Sequence, residues 1–393
     1  MAKKRQLHID QEALATLGLL QEGLLYPVTK LMTKEEMNEV DKTKGYKNQS
    51  YPFPFILAPS GKRNQEVLTT IKDGESLELY CDGKLCGEIK ASEVFEIDKD
   101  KRIKMIYGTN NPEHKGVRDT YRRLGNYAIC GDCKVDFKDV KEHKDKISNM
   151  IKDNDAKSIS AIMLSGKPFH RVHERLIRTA LVKNDLIVIF LLKPYVDDCL
   201  PYQTRYKSVK YFCDNFVLKD KIILIPLENT YIFGGFNELI LNAIVAKNYG
   251  CTELIVGKNS SGLGAFYDKT EFNSILDTID GIDINIDIMS DFVYCDKCST
   301  LVSTNVCPHG AHHHINYDSE SIMELFKMGI LPPAILMRKE ISSIVLSDLF
   351  PQRAEKLAKI HQRLSPSSGL LDDFETTDFY ESLMNLYQTS SLT

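Results

Sequence analysis

The chain has 393 residues, 43% of them hydrophobic, with a formal net charge of -4 and ten cysteines. That length suits about two or three domains, and the slightly acidic balance gives no electrostatic footprint for nucleic acid, while leaving room for a local cationic pocket for a small anion. The densest apolar run, LIVIFLL at 186–192, is too short to span a bilayer as a helix. The first residues, MAKKRQLHIDQEALATLG, are basic but lack the apolar core of a secretory signal. These features predict a soluble, cytoplasmic protein with neither nucleic acid nor membrane as partner, its cysteines kept as thiols or metal ligands.

Residues 1–155 read as a small β-rich domain with a few helices. SLELYC (76–81) and RIKMIYG (102–108) are β-like runs, and KEEMNEVDK (34–42) is helical. The charged segment 138–157 connects this domain to the next. From 158 the pattern changes. SISAIML, DLIVIFLL, KIILIPL, TELIVG and DINIDIM, starting at 158, 185, 221, 252 and 283, are short and rich in β-branched residues. Between them, Val172, Leu176 and Ala180, then Val209, Phe212, Cys213 and Phe216, make one-sided helical stripes. This alternation predicts βαβ units, and so an α/β domain over 156–290 with a parallel sheet and helices on both faces. Continuous apolar strands fit a sheet buried on both sides. Ligands in such folds bind outside the carboxyl ends of the strands, which points to loops 165–170, 193–204, 228–236 and 258–267. Residues 291–393 read as a Cys/His knuckle followed by helices, with a polar, acidic end from 366 that suits a peripheral helix or tail.

Three constellations could carry chemistry. In LSGKPFHRVHERL (164–176), a turn after a strand leads into a helix that begins with His170 and His173 on one side. Unpaired N–H groups at a helix start favour an anion. Imidazolium or imidazole N–H donors and Arg171 add to that, an arrangement suited to holding triphosphate oxygens as charge develops on leaving pyrophosphate. The alternative is a pair of surface histidines on a capped helix. A zinc reading is weaker, because His-x-x-x-His is the spacing that sets two ligands on one helix. Second, Gly234 and Gly235 precede a helix and allow close backbone approach. Asn259, Ser260, Ser261, Gly262 and Gly264 form a polar loop at a strand end, although ordinary βα turns look the same. Third, Cys295-x2-Cys298-x8-Cys307-x-His309 matches a closed tetrahedral zinc site of structural type, with His312, His313 and His314 as substitutes for His309.

Taken together these stretches resemble the ATP sulfurylase (sulfate adenylyltransferase) family over nearly the whole chain. IDQEALATLGLLQEGLLYPVTKLMTKEEM, PFPFIL and GTNNPEHKGV (108–117) look like the family's PUA-like N-terminal domain. PFHRVHE (168–174), FGGFNE (233–238), KNYGCTELIVGKN (247–259), YCDKCSTLVSTNVCPHG (294–310) and GILPPAILMRKEISSIVL (329–346) follow in the family's order. The resemblance implies ATP plus sulfate giving adenylyl sulfate and pyrophosphate, with magnesium on the triphosphate and structural zinc on the knuckle. It makes His170 and His173 the pair that contacts the triphosphate, with Arg171 between them as a third catalytic candidate. Pro168, Phe169, Gly234, Gly235, Asn237, Gly257 and Ser260 become nucleotide-binding candidates. Ser165, Lys167, Lys258, Asn259 and Ser261 become acceptor-binding candidates. Self-association into homo-oligomers is implied by the same analogy.

The departures cluster on the acceptor side. The family usually has Gln-Thr-Arg-Asn-Pro before the histidines, and here Leu164 and Gly166 stand at the Gln and Arg positions. The usual Gly-Arg-Asp-His-Ala-Gly is Gly257-Lys258-Asn259-Ser260-Ser261-Gly262, and Gly-Pro-Arg-Glu is Gly235-Phe236-Asn237-Glu238. The family's Ser-Gly-Thr with a following Arg is not recognisable from Asp318 to Met323. Lysine does not replace an arginine fork on a tetrahedral oxyanion, and each lost charged hydrogen bond costs about 1.5–3 kcal/mol. Two further readings therefore stand beside sulfate: adenylyl transfer to another acceptor, and a nucleotide-binding protein without catalysis.

Overall fold

The computed structural model describes residues 5–195, 200–233, 237–257, 279–352, 356 and 359. In the N-terminal part, strands β1 (Arg5–Ile9), β2 (Gly45–Tyr46), β3 (Gln49–Ser50), β4 (Leu57–Pro59), β5 (Ser76–Cys81), β6 (Lys84–Glu96) and β7 (Leu124–Val135) alternate with helices α1 (Gln11–Gln21), α2 (Lys34–Thr43), α3 (Lys62–Thr70), α4 (Lys99–Tyr107) and α5 (Lys115–Arg123). Five strands form one sheet in the order β1-β5-β6-β7-β4, parallel between β1 and β5 and antiparallel elsewhere. SLELYC is β5, with alternate residues buried as a half-buried strand requires. KEEMNEVDK is α2, started by a capping box in which Thr33 and Glu36 satisfy each other's backbone N–H.

RIKMIYG is not a strand. It lies in α4, which Asp98 caps by accepting from the Lys101 N–H and which ends at Gly108 in the left-handed region. Arg102, Ile103, Ile106 and Tyr107 are its buried residues, a helical spacing, so the short apolar run that looked β-like is one face of a helix. The charged segment 138–157 is largely helix α6 (Asp139–Asp153).

The second sheet contains all five apolar runs: β8 (Ile159–Leu164), β9 (Leu186–Pro194), β10 (Ile222–Asn229), β11 (Glu253–Gly257) and β12 (Asn285–Met289), in the order β10-β9-β8-β11-β12. β8 and β11 run parallel. Leu186 to Leu191 of β9 are fully buried, as an interior strand covered on both faces must be. Along the chain the strands alternate with α7 (Arg171–Lys183), α8 (Tyr202–Asn215) and α9 (Glu238–Asn248). The α/β class expected from the alternation is the one observed.

The last part has a three-stranded sheet, β14-β13-β15, built from β13 (Phe292–Cys295), β14 (Thr300–Ser303) and β15 (His314–Ile315), then α10 (Ser319–Lys327) and α11 (Lys339–Leu349). By contacts the chain divides into two units that do not follow linear order. One is Met1–Met163, Asn184–Tyr195 and Ile225–Ile288; the other is Leu164–Lys183, Val196–Leu224 and Met289–Thr393. No helix among the described residues is long and apolar enough to cross a membrane.

Candidate active site and metal centre

The turn after β8 belongs to the second unit, with Leu164 buried at its start. Gly166 takes a left-handed φ of 61° that a side chain would strain, and the Lys167–Pro168 peptide is cis. Arg205 of α8 is fully buried and reaches this turn: its Nη1 donates to the Ser165 carbonyl at 2.6 Å and its Nε to the Leu200 carbonyl at 3.2 Å. Phe169 is also fully buried, between the rings of Phe212 and His173 at 5.3 and 5.5 Å.

His170 and His173 then open α7. The backbone N–H of His170 donates to Nδ1 of His173 at 3.1 Å, so an imidazole does at this helix start what glutamate does in a capping box. Because Nδ1 of His173 accepts, the neutral ring carries its proton on Nε2. The two rings stack at 3.9 Å. Desolvation holds the buried His170 well below its ordinary pKa, with repulsion from His173 adding to it, and desolvation pushes His173 down to about 4. At neutral pH the pair therefore offers N–H dipoles, and of the two expected forms of donor the uncharged one is present. Nε2 of His170 lies 3.4 Å from the Ser319 hydroxyl, while its Nδ1 is buried without a hydrogen-bond partner among the described residues.

Arg171 is engaged with protein. Its backbone N–H donates to the Leu336 carbonyl, its Nε to the Ala334 carbonyl and its Nη1 to Glu174 at 3.3 Å. Glu174 is buried and also takes both oxygens to Nε of Arg338 at 2.9 Å, with the Arg338 guanidinium 3.7 Å over the Phe216 ring. Neither Glu174 nor Arg338 stands out in the sequence. The only signal is the i,i+3 spacing of Arg171 and Glu174 on a helix.

In the first unit, Asn237 is buried just before α9, and its amide donates to the Met105 and Ile106 carbonyls at 2.8 and 3.3 Å. Gly257 ends β11. Gly234, Gly235, Lys258, Asn259, Ser260 and Ser261 lie outside the described residues. A cluster that sequence reading missed sits at the carboxyl ends of β9 and β10. Buried Glu228 accepts from Lys193 Nζ at 3.0 Å and from the Tyr195 hydroxyl, whose pKa burial and the carboxylate raise. All three residues fall in loops flagged by the strand-end rule, but a lone Glu, Lys and Tyr carry no motif.

Cys295, Cys298, Cys307 and His309 converge, with one donor atom from each lying within 4.8 Å of all the others. Nδ1 of His309 is 3.4, 3.3 and 3.7 Å from the three sulfurs in turn, and Cys298 and Cys307 are 4.0 Å apart. Zinc bonds of about 2.0–2.3 Å at tetrahedral angles would separate donors by roughly 3.4–3.8 Å, so the set fits such an ion. Cys295 comes from the end of β13, and the 298–309 residues from the β13–β14 turn and the loop after β14. His314 stands opposite Cys295 in the β13–β15 pairing and places Nε2 3.4 Å from the Cys307 sulfur.

Comparison with known proteins agrees along the chain. The family model described as ATP-sulfurylase matches residues 138–348, and that described as a PUA-like domain matches 1–136. A sulfate adenylyltransferase of Halothermothrix orenii is 25% identical over 359 residues, covering 88% of this chain and 92% of that protein. One from Staphylothermus marinus is 27% identical over 358 residues, covering 87% and 90%. Among solved structures, a hexameric APS kinase from Thiobacillus denitrificans superposes with a TM-score of 0.64 at 17% identity, covering 92% of this chain and 70% of that one. At that identity the likeness speaks for the fold.

Proposed function

The chain belongs to the ATP-sulfurylase family, and on that premise we propose that it transfers the adenylyl group of ATP to sulfate, releasing pyrophosphate. The observation that carries the reading is the uncharged, stacked His170–His173 pair at the helix start that follows β8. A sulfate oxygen attacks the α-phosphorus in line. Sulfate is already deprotonated at neutral pH, so no general base is needed, and catalysis is positioning and charge stabilisation. Nε2–H of His173 and one N–H of His170 donate to the triphosphate as charge grows on the departing pyrophosphate, whose magnesium arrives with the nucleotide. Neutral imidazoles suit this because they donate without first having to be protonated.

Pro168, Phe169, Gly234, Gly235, Asn237, Gly257 and Ser260 serve the nucleotide. Ser165, Lys167, Lys258, Asn259 and Ser261 serve the acceptor. Zinc at Cys295, Cys298, Cys307 and His309 is structural, since four protein ligands leave no open position. The domain division is 1–155, 156–290 and 291–393, and the protein works in the cytoplasm as a homo-oligomer.

A second acceptor is favoured by one observation: buried, apolar Leu164 and bare Gly166 occupy the acceptor side of the turn, where no side chain can fork onto a tetrahedral oxyanion. ATP–pyrophosphate exchange separates the readings. Exchange that requires sulfate and falls by about 10²–10³ in His170→Asn supports sulfate. Exchange that ignores sulfate but responds to another oxyanion or carboxylate reassigns the acceptor. ATP binding by calorimetry without exchange under any acceptor removes catalysis.

A further inference from the structure

We propose that Arg338 presents a guanidinium fork to the tetrahedral oxyanion of the acceptor, a contact that the turn after β8 cannot make. The role as acceptor contact rests on the adenylyl-transfer reading, though the geometry does not. Arg338 is held on two sides. Its Nε donates to both oxygens of buried Glu174 at 2.9 Å, and its guanidinium lies 3.7 Å over the Phe216 ring. A guanidinium is planar, so these two contacts fix the direction of the whole fork. Its terminal nitrogens, Nη1 and Nη2, have no hydrogen-bond partner among the described residues, and neither is closed off from solvent. An arginine anchored through Nε with both terminal amines open is set to hold an oxyanion by two parallel N–H bonds.

Charge points the same way. Arg171 and Arg338 both pair with Glu174, and among the described residues neither pairs with a second carboxylate. Two cations against one anion leave one positive charge in excess. The two arginine side chains are only 27% and 17% exposed, so an anion gains more from this charge than it would at an open surface. The clasp sits on the first turn of α7, where the Glu174 N–H donates to the His170 carbonyl. The unpaired N–H groups of a helix start favour negative charge as well. A row of rings joins the fork to the histidines: Phe216 against Phe212, Phe212 against Phe169 and Phe169 against His173, at 6.1, 5.3 and 5.5 Å. The fork therefore stands on the same wall as the triphosphate donors but apart from them. Leu164 is buried and Gly166 has no side chain, so the turn offers no fork of its own.

The test compares the full wild-type chain with Arg338→Lys and Phe216→Leu. Lysine can meet Glu174 with its single amine, which keeps the clasp and removes the fork. Leucine keeps both charges and frees the guanidinium plane, so it serves where the lysine variant proves unstable by its urea midpoint. Sulfate binding is measured by calorimetry at fixed ionic strength, with and without α,β-methylene-ATP. Arg338→Lys should bind sulfate about 10–100-fold more weakly than wild type, as for a lost charge-assisted hydrogen bond, and Phe216→Leu should weaken it several-fold. In ATP–pyrophosphate exchange the KM for sulfate should rise by the same factors, with the KM for ATP within about twofold. Sulfate affinity unmoved in both variants, or a wild type that binds no sulfate in either condition, overturns the proposal. A rise confined to the KM for ATP also overturns it, placing the fork on a nucleotide phosphate. Sulfate binding that depends on Arg338 in a chain without exchange upholds the fork and counts against adenylyl transfer, so the two readings fail separately.

Discussion

At the residue scale, His170 and His173 are held below their ordinary titration range by desolvation, and in His170 also by its neighbour. This couples stability to pH with a definite sign. The unfolded chain takes up protons on these rings as pH falls through about 6.5, whereas the folded chain resists until about 4 at His173. The unfolded state therefore binds more protons in that window, and stability, complete above about pH 6.5, declines toward pH 4. Urea unfolding at pH 7.5 and 5.0 should show a smaller loss in His173→Asn than in wild type, since asparagine can still accept from the His170 N–H but does not titrate. An equal loss in both proteins would remove His173 from the linkage. The sequence disclosed that the two histidines share a helix start. It did not disclose their charge, because that depends on packing that brings in Phe212, Tyr317 and Ser319 from distant segments.

At the scale of elements, the start of α7 is tied to segment 334–338 by a buried carboxylate between two guanidiniums. Removing one partner of a buried pair leaves charge uncompensated. Arg171 and Arg338 keep some water contact, their side chains being 27% and 17% exposed. Glu174→Gln should accordingly cost about 2–4 kcal/mol, less than a fully enclosed pair would. The urea midpoint measures it, and a shift under about 0.5 kcal/mol would make the clasp incidental. The metal knuckle allows a parallel test. Metal analysis should find one zinc per chain in wild type, with most of it lost in His309→Ala. His314→Ala should retain zinc but bind it roughly 10–100-fold more weakly, as for an outer donor to a ligand sulfur. The opposite pattern would exchange the two histidines' roles.

Spacing made the four-ligand set legible, but four histidines in six positions gave no way to choose among them; the fold does so by bringing Nδ1 of His309 within 3.7 Å of all three sulfurs. The interior strands of the second sheet, β9 above all, were legible because burial on both faces leaves an unbroken apolar run. RIKMIYG was misread because its caps, Asp98 and Gly108, say more about a nine-residue helix than a short apolar run does.

At the scale of the whole molecule, the boundary near 137 separates two families of sequence but not two sets of contacts. Met1–Met163 groups with the sheet segments Asn184–Tyr195 and Ile225–Ile288. The ties are specific. Asn237 donates to the Met105 and Ile106 carbonyls, Asn248 to the Leu24 and Tyr26 carbonyls, and Lys144 to the Glu22 carbonyl. Ser50 and Asp280 exchange two hydrogen bonds. None of these partners could be paired from sequence, since each bond joins positions that share no motif. Expressed alone, residues 1–136 retain all of the β1-β5-β6-β7-β4 sheet and should melt cooperatively. Residues 138–393 lose the Met105, Ile106, Leu24, Tyr26 and Glu22 carbonyls, and the buried Asn237 amide would stand without an acceptor, at a cost of about 1–3 kcal/mol for that group alone. That fragment should unfold well below the parent or without a sharp transition by circular dichroism, and mixing or co-expression with 1–136 should restore the parental melt. Two fragments that each melt at the parental temperature would show instead that these bonds join finished domains and stabilise neither.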